Sequence, residues 1–493
     1  MLPPKPADLI DREAEWEALA TLWGSDRPEL AFVVGRRRIG KSYVLARFAQ
    51  AVGGLYYQAT RRTEAEQLRS MSLAVGAHFG DAALQEGAGF PDWTALFRYV
   101  GAATASPEAS PLLLVLDEFP YLAEAAPALP SVLQEAWDHV WPQRRIKVVL
   151  SGSYVTAMER LEAADQPLYG RRTQRLVVPP FTPAEVGAFV PAYTPRDLLR
   201  AYGLFGHLPG HLALLNPDAS LAENAAQLLL SPQSRLVDDA QHMLDAYLGE
   251  ARVHYSIVEA VAQGAQTWST LTKRVGRSGG ALLRPLQWLD GMGLLERTVP
   301  ITERDPARSK RAVYRLTDPY VLLWYRLIAP LVRAGSIGLT PPAVLWDEVL
   351  APRLDDHMGD VFEAACRLLM RQTARHGEAS VLPFTPLRVG AWWTDDTSTQ
   401  VDVVVQGTGG HLLVGECKWG PVTARHLHRL RQQAERVAQA LRHPSPPTLA
   451  LFTGLNAADV ALDAPLREAI EANELRVFTA DDLVRQLSAV SSS

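Results

Sequence analysis

The chain has 493 residues, 47% hydrophobic and 21% charged, with a formal net charge of −5. That balance excludes fibrous and extensively disordered classes, and the length suits three domains better than one. Two cysteines, Cys366 and Cys417, exclude a disulfide scaffold and a four-cysteine zinc site.

The longest apolar stretch, Pro319 to Val332, is interrupted by Arg326 and is shorter than the about 20 residues of a spanning helix, so no membrane association is expected. The opening Met1-Leu-Pro-Pro-Lys-Pro lacks a signal-peptide core, and the expected location is cytoplasmic. Charge is uneven: residues 250–335 hold 13 Lys+Arg against 7 Asp+Glu. A basic middle in an acidic chain suits a phosphate-bearing partner; a solvated basic face is the other reading. Lysine is rare, with six among 49 basic residues. A retained lysine therefore marks a position that needs a compact, mobile ammonium, and Lys41 and Lys418 are the two that fall in motifs.

In chain order, Leu30-Ala-Phe-Val-Val34 reads as a buried strand running into Gly35-Arg36-Arg37-Arg38-Ile39-Gly40-Lys41-Ser42, with a helix from Tyr43 to Ala51. Strand, GxxxxGK[ST] and helix form the full context of a P-loop. Its glycines let backbone amides wrap phosphates at a helix N-terminus. Lys41 is expected on the β- and γ-phosphates of ATP, and Ser42 on Mg²⁺. The three arginines contact the nucleotide or point outward. A second strand, Leu112–Leu116, ends in Asp117-Glu118. At the carboxyl end of a parallel strand, Asp117 is expected to hold Mg²⁺ through water and Glu118 to deprotonate the attacking water. A third strand, Ile146–Leu150, leads to Ser151 and Ser153, which contact the γ-phosphate or cap the next helix. Arg171 and Arg172 are candidate arginine fingers, in cis or from a neighbouring subunit of a homo-oligomer, or simply surface cations.

Asp11-Arg12-Glu13 before a helix, GRRRIGKS, LDEFPYL, LSGSYVTAM and LYGRR together resemble the archaeal-type P-loop ATPases of the AAA+/STAND assemblage. The resemblance implies an ATPase rather than a kinase or GTPase. It also implies that Gly206-His-Leu-Pro209 opens a helical lid, with His207 standing where a second glycine is usual.

In the middle, helices are expected from Tyr255 to Val261, from Thr267 to Gly276, and from Ala281 to Leu289, the last with Leu282, Leu283, Leu286 and Leu289 inward. Leu294–Thr298 and Ala312–Leu316 read as a hairpin whose tip carries Arg304, Arg308, Lys310 and Arg311. Three helices and a basic hairpin form a winged helix-turn-helix, in which the third helix enters the major groove and the wing grips phosphate. Arg277, Arg284 and Gln287 are the base-reading candidates. Packing of the module against the ATPase is the alternative. Asp318-Pro-Tyr-Val-Leu-Leu-Trp-Tyr325 matches a motif of the same ATPase group and reads as core.

Beyond Pro341-Pro342, a helix starting at Met358 carries Glu363. Gln400-Val-Asp402 and His411–Trp419, joined by Gly407-Thr-Gly-Gly410, read as a hairpin. Strand periodicity puts Glu416 and Lys418 on one face with Cys417 opposite. Reflection through Thr408 and Gly409 sets Asp402 opposite Gly415. Two carboxylates beside a lysine suit Mg²⁺ or Mn²⁺ at Asp402 and Glu416, with Lys418 activating water and Glu363 alongside. This is the D…ExK arrangement of PD-(D/E)XK nucleases, and the surrounding residues resemble the nuclease-like C-terminal domain of unknown function found on those same ATPases. Four ion-paired structural residues are the alternative. His426 and His428 read as solvent-facing residues of a basic helix.

The expected architecture is α/β multidomain: a P-loop NTPase parallel sheet (1–205), a helical lid (206–249), a winged helix-turn-helix (250–338) and a C-terminal mixed α/β restriction-endonuclease-like domain (339–493). The expected function is Mg²⁺-dependent ATP hydrolysis coupled to a metal-dependent nuclease acting on DNA. The alternative is an ATP-controlled switch whose last domain binds nucleic acid or protein without cutting.

Overall fold

The computed structural model describes residues 3–106, 110–153, 155–248, 252–376, 382–396 and 398–491. It divides into two compact units, Met1–Pro180 and Phe181–Ser493.

In the first unit, β1 (Glu29–Val34), β2 (Leu55–Gln58), β3 (Leu112–Asp117), β4 (Ile146–Gly152) and β5 (Gln174–Val177) form one parallel sheet in the order β2-β3-β4-β1-β5. Strands β1, β3 and β4 are buried on both faces, which is why they are continuous apolar runs in the sequence. β2 and β5 are four-residue edge strands with polar positions, and neither declares itself by pattern. Phe32, Leu114, Leu116, Val148 and Leu150 pack with Phe97 and Trp141 into the core. Because β4 lies between β1 and β3, the phosphate loop, the Asp117-Glu118 pair and the Ser151–Ser153 segment leave three adjacent strands at one edge of the sheet.

The second unit begins before the boundary expected at residue 205. Helix Pro195–Phe205 packs through Gly203 against Met358, where an added Cβ would come within 2.5 Å of the sulfur. The Arg196 guanidinium lies 4.1 Å from the Trp419 ring centroid and donates to the Trp419 carbonyl at 2.7 Å. Three helices, Arg252–Ala262, Trp268–Val275 and Gly280–Gly291, precede the antiparallel pair β6 (Leu295–Thr298) and β7 (Val313–Leu316). A capping box at Thr267 and left-handed Gly276 bound the second helix. On the third, Leu282, Leu286 and Leu289 are buried but Leu283 is 42% exposed, because the inward stripe follows the other three positions around the helix.

A mixed sheet completes the unit: β8 (Pro386–Trp393), β9 (Gln400–Gly407), β10 (Leu412–Lys418), β11 (Thr448–Thr453) and β12 (Leu475–Phe478), in the order β12-β11-β10-β9-β8. β8, β9 and β10 are antiparallel; β10, β11 and β12 are parallel. The helix carrying Glu363 runs Ala351–His376, starting earlier than Met358. The β6–β7 connection covers the β8 edge: Ile301 donates to Ala391 O at 2.9 Å and accepts from Arg388 at 2.9 Å, and its side chain joins the sheet's core. No described helix is long and apolar enough to cross a membrane.

Candidate functional site

The loop after β1 is held from beneath. Buried Arg12 donates to Ile39 O and to Pro179 O, both at 2.9 Å, and pairs with Glu15 at 3.3 Å. A Cβ at Gly35 would come within 2.6 Å of Val178 O, so only glycine fits. Gly40 has φ 92°, which lets the helix Lys41–Val52 begin with its amides turned toward the loop. Arg38 is exposed with φ 69°, and Arg36 and Arg37 are half-buried. Lys41 is buried and donates to Gly35 O (2.8 Å), Arg36 O (2.9 Å) and Ser153 Oγ (3.1 Å). Burial lowers its pKa to about 8, against the raising influence of Glu118 and Asp117.

Two hydrogen-bond chains meet the two acids. The Ser153 hydroxyl donates to Glu118 Oε1 at 2.5 Å, so Lys41, Ser153 and Glu118 form a continuous line. Glu118 has φ 53°, a strained conformation for a non-glycine residue, as it leaves β3 to open helix Phe119–Ala125. Asp117 accepts the Glu118 N–H on Oδ1 at 3.0 Å and the Tyr56 hydroxyl on Oδ2 at 2.7 Å. Of the two serine candidates, Ser153 reaches the loop; Ser151 is buried within β4, opposite Val33, and its hydroxyl has no partner. Tyr56 was not singled out from the sequence. Its only advance signal was a pair of tyrosines in a short run after Gly53-Gly54.

Arg171 and Arg172 do not join this cluster. Arg171 forks onto Asp138, with Nη2 at 2.7 Å and Nε at 3.0 Å, and Arg172 pairs with Glu162 at 2.5 Å. Their positions are explained by those acids without a nucleotide. Ser42 and Asp117 supply hydroxyl and carboxylate oxygens, a donor set suited to Mg²⁺. An open cavity of about 540 Å³ lies nearby, lined by Arg61, Arg62, Glu66, Tyr121 and Glu124. Arg61 sits 5.3 Å from the Tyr121 ring centroid.

The acids of the second unit are arranged differently. The β9–β10 register pairs Gly415 with Val403, not with Asp402, because the connection Thr408–Gly410 is centred on Gly409. Asp402 instead accepts the Cys417 N–H at 2.8 Å. Burial, and then the charge of Glu363, raise the Asp402 pKa to about 6. Glu363 pairs with Arg315 of β7 at 3.1 Å and with Arg367 at 3.5 Å. Glu416 is buried between Lys418 at 2.8 Å and Arg429 of helix Ala424–Leu441. Cys417 faces the other way, as two-residue periodicity requires, and is buried like Cys366. Among the described residues, no group of three or more His, Cys, Asp or Glu side chains is disposed to hold a metal ion. Of the expected acids, Glu416 and Glu363 are thus ion-paired with arginine or lysine, while Asp402 is held by the Cys417 N–H. His426 caps its own helix through Thr423, and His428 bonds Gln432.

The hairpin tip is less free than expected. Arg311 is tied to Glu303 at 3.0 Å and to Trp393 O, and Arg297 spans Pro306 O and Ser309 O. Arg304, Arg308, Arg277, Arg284 and Gln287 remain exposed. His207 is buried 3.4 Å from Asp318 within the second unit, so the residue replacing glycine serves an internal pair.

The parallel sheet, the glycine-bounded loop and its lysine define a P-loop ATPase-type domain, and the comparisons agree. Residues 9–215 match the family described as an ATPase domain predominantly from Archaea. Residues 324–430 match Archaea bacterial proteins of unknown function. The uncharacterized protein MJECL04 of Methanocaldococcus jannaschii is 23% identical over 431 residues, 87% of this chain and 91% of that protein. Among solved structures, the Walker-type ATPase PABY2304 of Pyrococcus abyssi is 20% identical with a TM-score of 0.51, covering 66% of this chain and all of that one. The ORC2 protein of Aeropyrum pernix, in its ADPNP–ADP complexes, is 16% identical with a TM-score of 0.43, covering 68% and 96%.

Proposed function

We propose that the chain hydrolyses ATP with Mg²⁺ at the first-unit site and uses the second unit to act on DNA. The observation that carries the first part is the line from Lys41 through Ser153 to Glu118 at the mouth of the phosphate loop. Gly35 to Gly40 would cradle the phosphates, and Lys41 would neutralise the β- and γ-groups. Ser42 and Asp117 would hold Mg²⁺, which supplies charge neutralisation when bound. Glu118, released from Ser153, would take the proton of the attacking water. The Arg171 and Arg172 finger roles would require both to leave their present acids.

The second part rests on the three helices and hairpin, the arrangement of a winged helix-turn-helix, with Arg277, Arg284 and Gln287 exposed beside the third helix. Since the hairpin packs on β8, the third helix is the better candidate for the DNA contact. In this reading Glu363, Asp402, Glu416 and Lys418 cut DNA with Mg²⁺ or Mn²⁺. The pairing of Glu363 and Glu416 with guanidinium groups favours a second reading, in which this domain binds nucleic acid or protein without cutting.

Supercoiled plasmid incubated with Mg²⁺ or Mn²⁺, with and without ATP, separates them. Nicking lost in Asp402→Ala supports cleavage; plasmid left intact under every condition, with slow ATP hydrolysis that duplex does not stimulate, supports the switch. ATP turnover at the wild-type rate in Lys41→Ala would refute the nucleotide site itself.

A further inference from the structure

Tyr56 lies on β2, and its neighbour Tyr57 turns into the helical layer, where its hydroxyl donates to Gln67 Oε1 at 2.6 Å. Strand alternation therefore sends the Tyr56 ring to the opposite face of the sheet. The β2–β3 register sets Tyr56 beside Val115 and Gln58 beside Asp117, which brings the phenol alongside the carboxylate. Its hydroxyl donates to Asp117 Oδ2 at 2.7 Å. The other Asp117 oxygen is already engaged by the Glu118 N–H.

We propose that Tyr56 is a positioning residue for the divalent ion of the ATP site, fixing the rotation of its aspartate by a hydrogen bond to Asp117 Oδ2. The proposal rests on the ATPase reading above. A carboxylate whose one oxygen takes a phenol proton and whose other takes a backbone N–H is fixed in rotation and keeps a free lone pair on each oxygen. This bonding thus sets the orientation of the metal-binding carboxylate before any ion arrives. Outer partners of this kind typically control metal affinity or activity by about 10–100-fold when removed. The phenol itself needs no contact with nucleotide.

The test uses the full chain and a fluorescent ATP analogue, titrated first in EDTA and then with increasing MgCl₂. Tyr56→Phe keeps the ring and removes only the hydroxyl. The expected result is unchanged affinity in EDTA, with about 10–100-fold more Mg²⁺ needed for half-maximal enhancement. Mn²⁺ retained with the analogue, read by electron paramagnetic resonance, should fall in parallel. An unchanged Mg²⁺ requirement would overturn the proposal. So would weakening that is equal in EDTA and Mg²⁺, since it would mark a phosphate contact or a general packing loss. Wild-type protein that binds no analogue, or ignores Mg²⁺, would instead refute the ATPase reading and is distinguishable on that ground.

Discussion

The two acidic sites of this chain carry similar side chains and end in different states. In the first unit, Asp117 is met by the Tyr56 hydroxyl and Glu118 by the Ser153 hydroxyl. Hydroxyls exchange partners cheaply and carry no charge to be displaced. In the second, Glu363 and Glu416 are met by Arg315, Arg367, Arg429 and Lys418. A cation would have to displace guanidinium groups to reach them. Charge already neutralised by a partner is stable where it is, whereas charge held by neutral dipoles is poised for a ligand.

Breaking the first site should have the largest effects. Glu118→Gln is expected to lower ATP hydrolysis by about 10²–10⁴-fold with binding retained, measured by phosphate release beside analogue binding. Lys41→Ala should lower turnover by about 10²–10³-fold and weaken binding as well. In the second site the expected loss is of stability. Arg367→Ala strips a cation from the buried surroundings of Glu363 and Asp402 and should cost about 3–5 kcal/mol in a denaturant titration; a loss under about 1 kcal/mol would mean the acids are not held by that pairing.

A smaller effect sharpens the contrast. Lys41 titrates near pH 8 in the free protein because burial disfavours its charge, while bound triphosphate favours it. Nucleotide affinity should therefore be full below pH 8 and decline above it, by at most about tenfold per pH unit. Affinity that stays flat from pH 7 to 9.5 would contradict a buried, ligand-coupled lysine.

Much of the first site was legible because its chemistry is local. Gly35 to Ser42 are consecutive, Asp117-Glu118 end an apolar run, and two-sided burial makes β1, β3 and β4 continuous hydrophobic segments. Tyr56 was not legible as a functional position, and the Asp11-Arg12-Glu13 motif did not disclose that Arg12 holds the phosphate loop, since each acts through residues remote in sequence. The second site shows the converse. The order of Asp402, Glu416 and Lys418 invites a metal, but nothing local announces that Arg315 or Arg429 will arrive to neutralise the acids. The hairpin behaves alike: its basic tip was plain, and its packing on β8 was not.

By itself, then, the sequence determined the P-loop with its strand and helix, the acids that follow β3, the hairpin bearing Glu416 and Lys418, and the separation of Cys417 from both. These follow from backbone periodicity and from the steric needs of glycine, which act over a few residues. Tertiary structure alone decided the strand order that sets β4 between β1 and β3, the one-residue shift pairing Val403 with Gly415, the unit boundary at Pro180, and the partner of every acid. Those depend on which distant surfaces bury each other, and a carboxylate takes whatever donor the packing brings within reach.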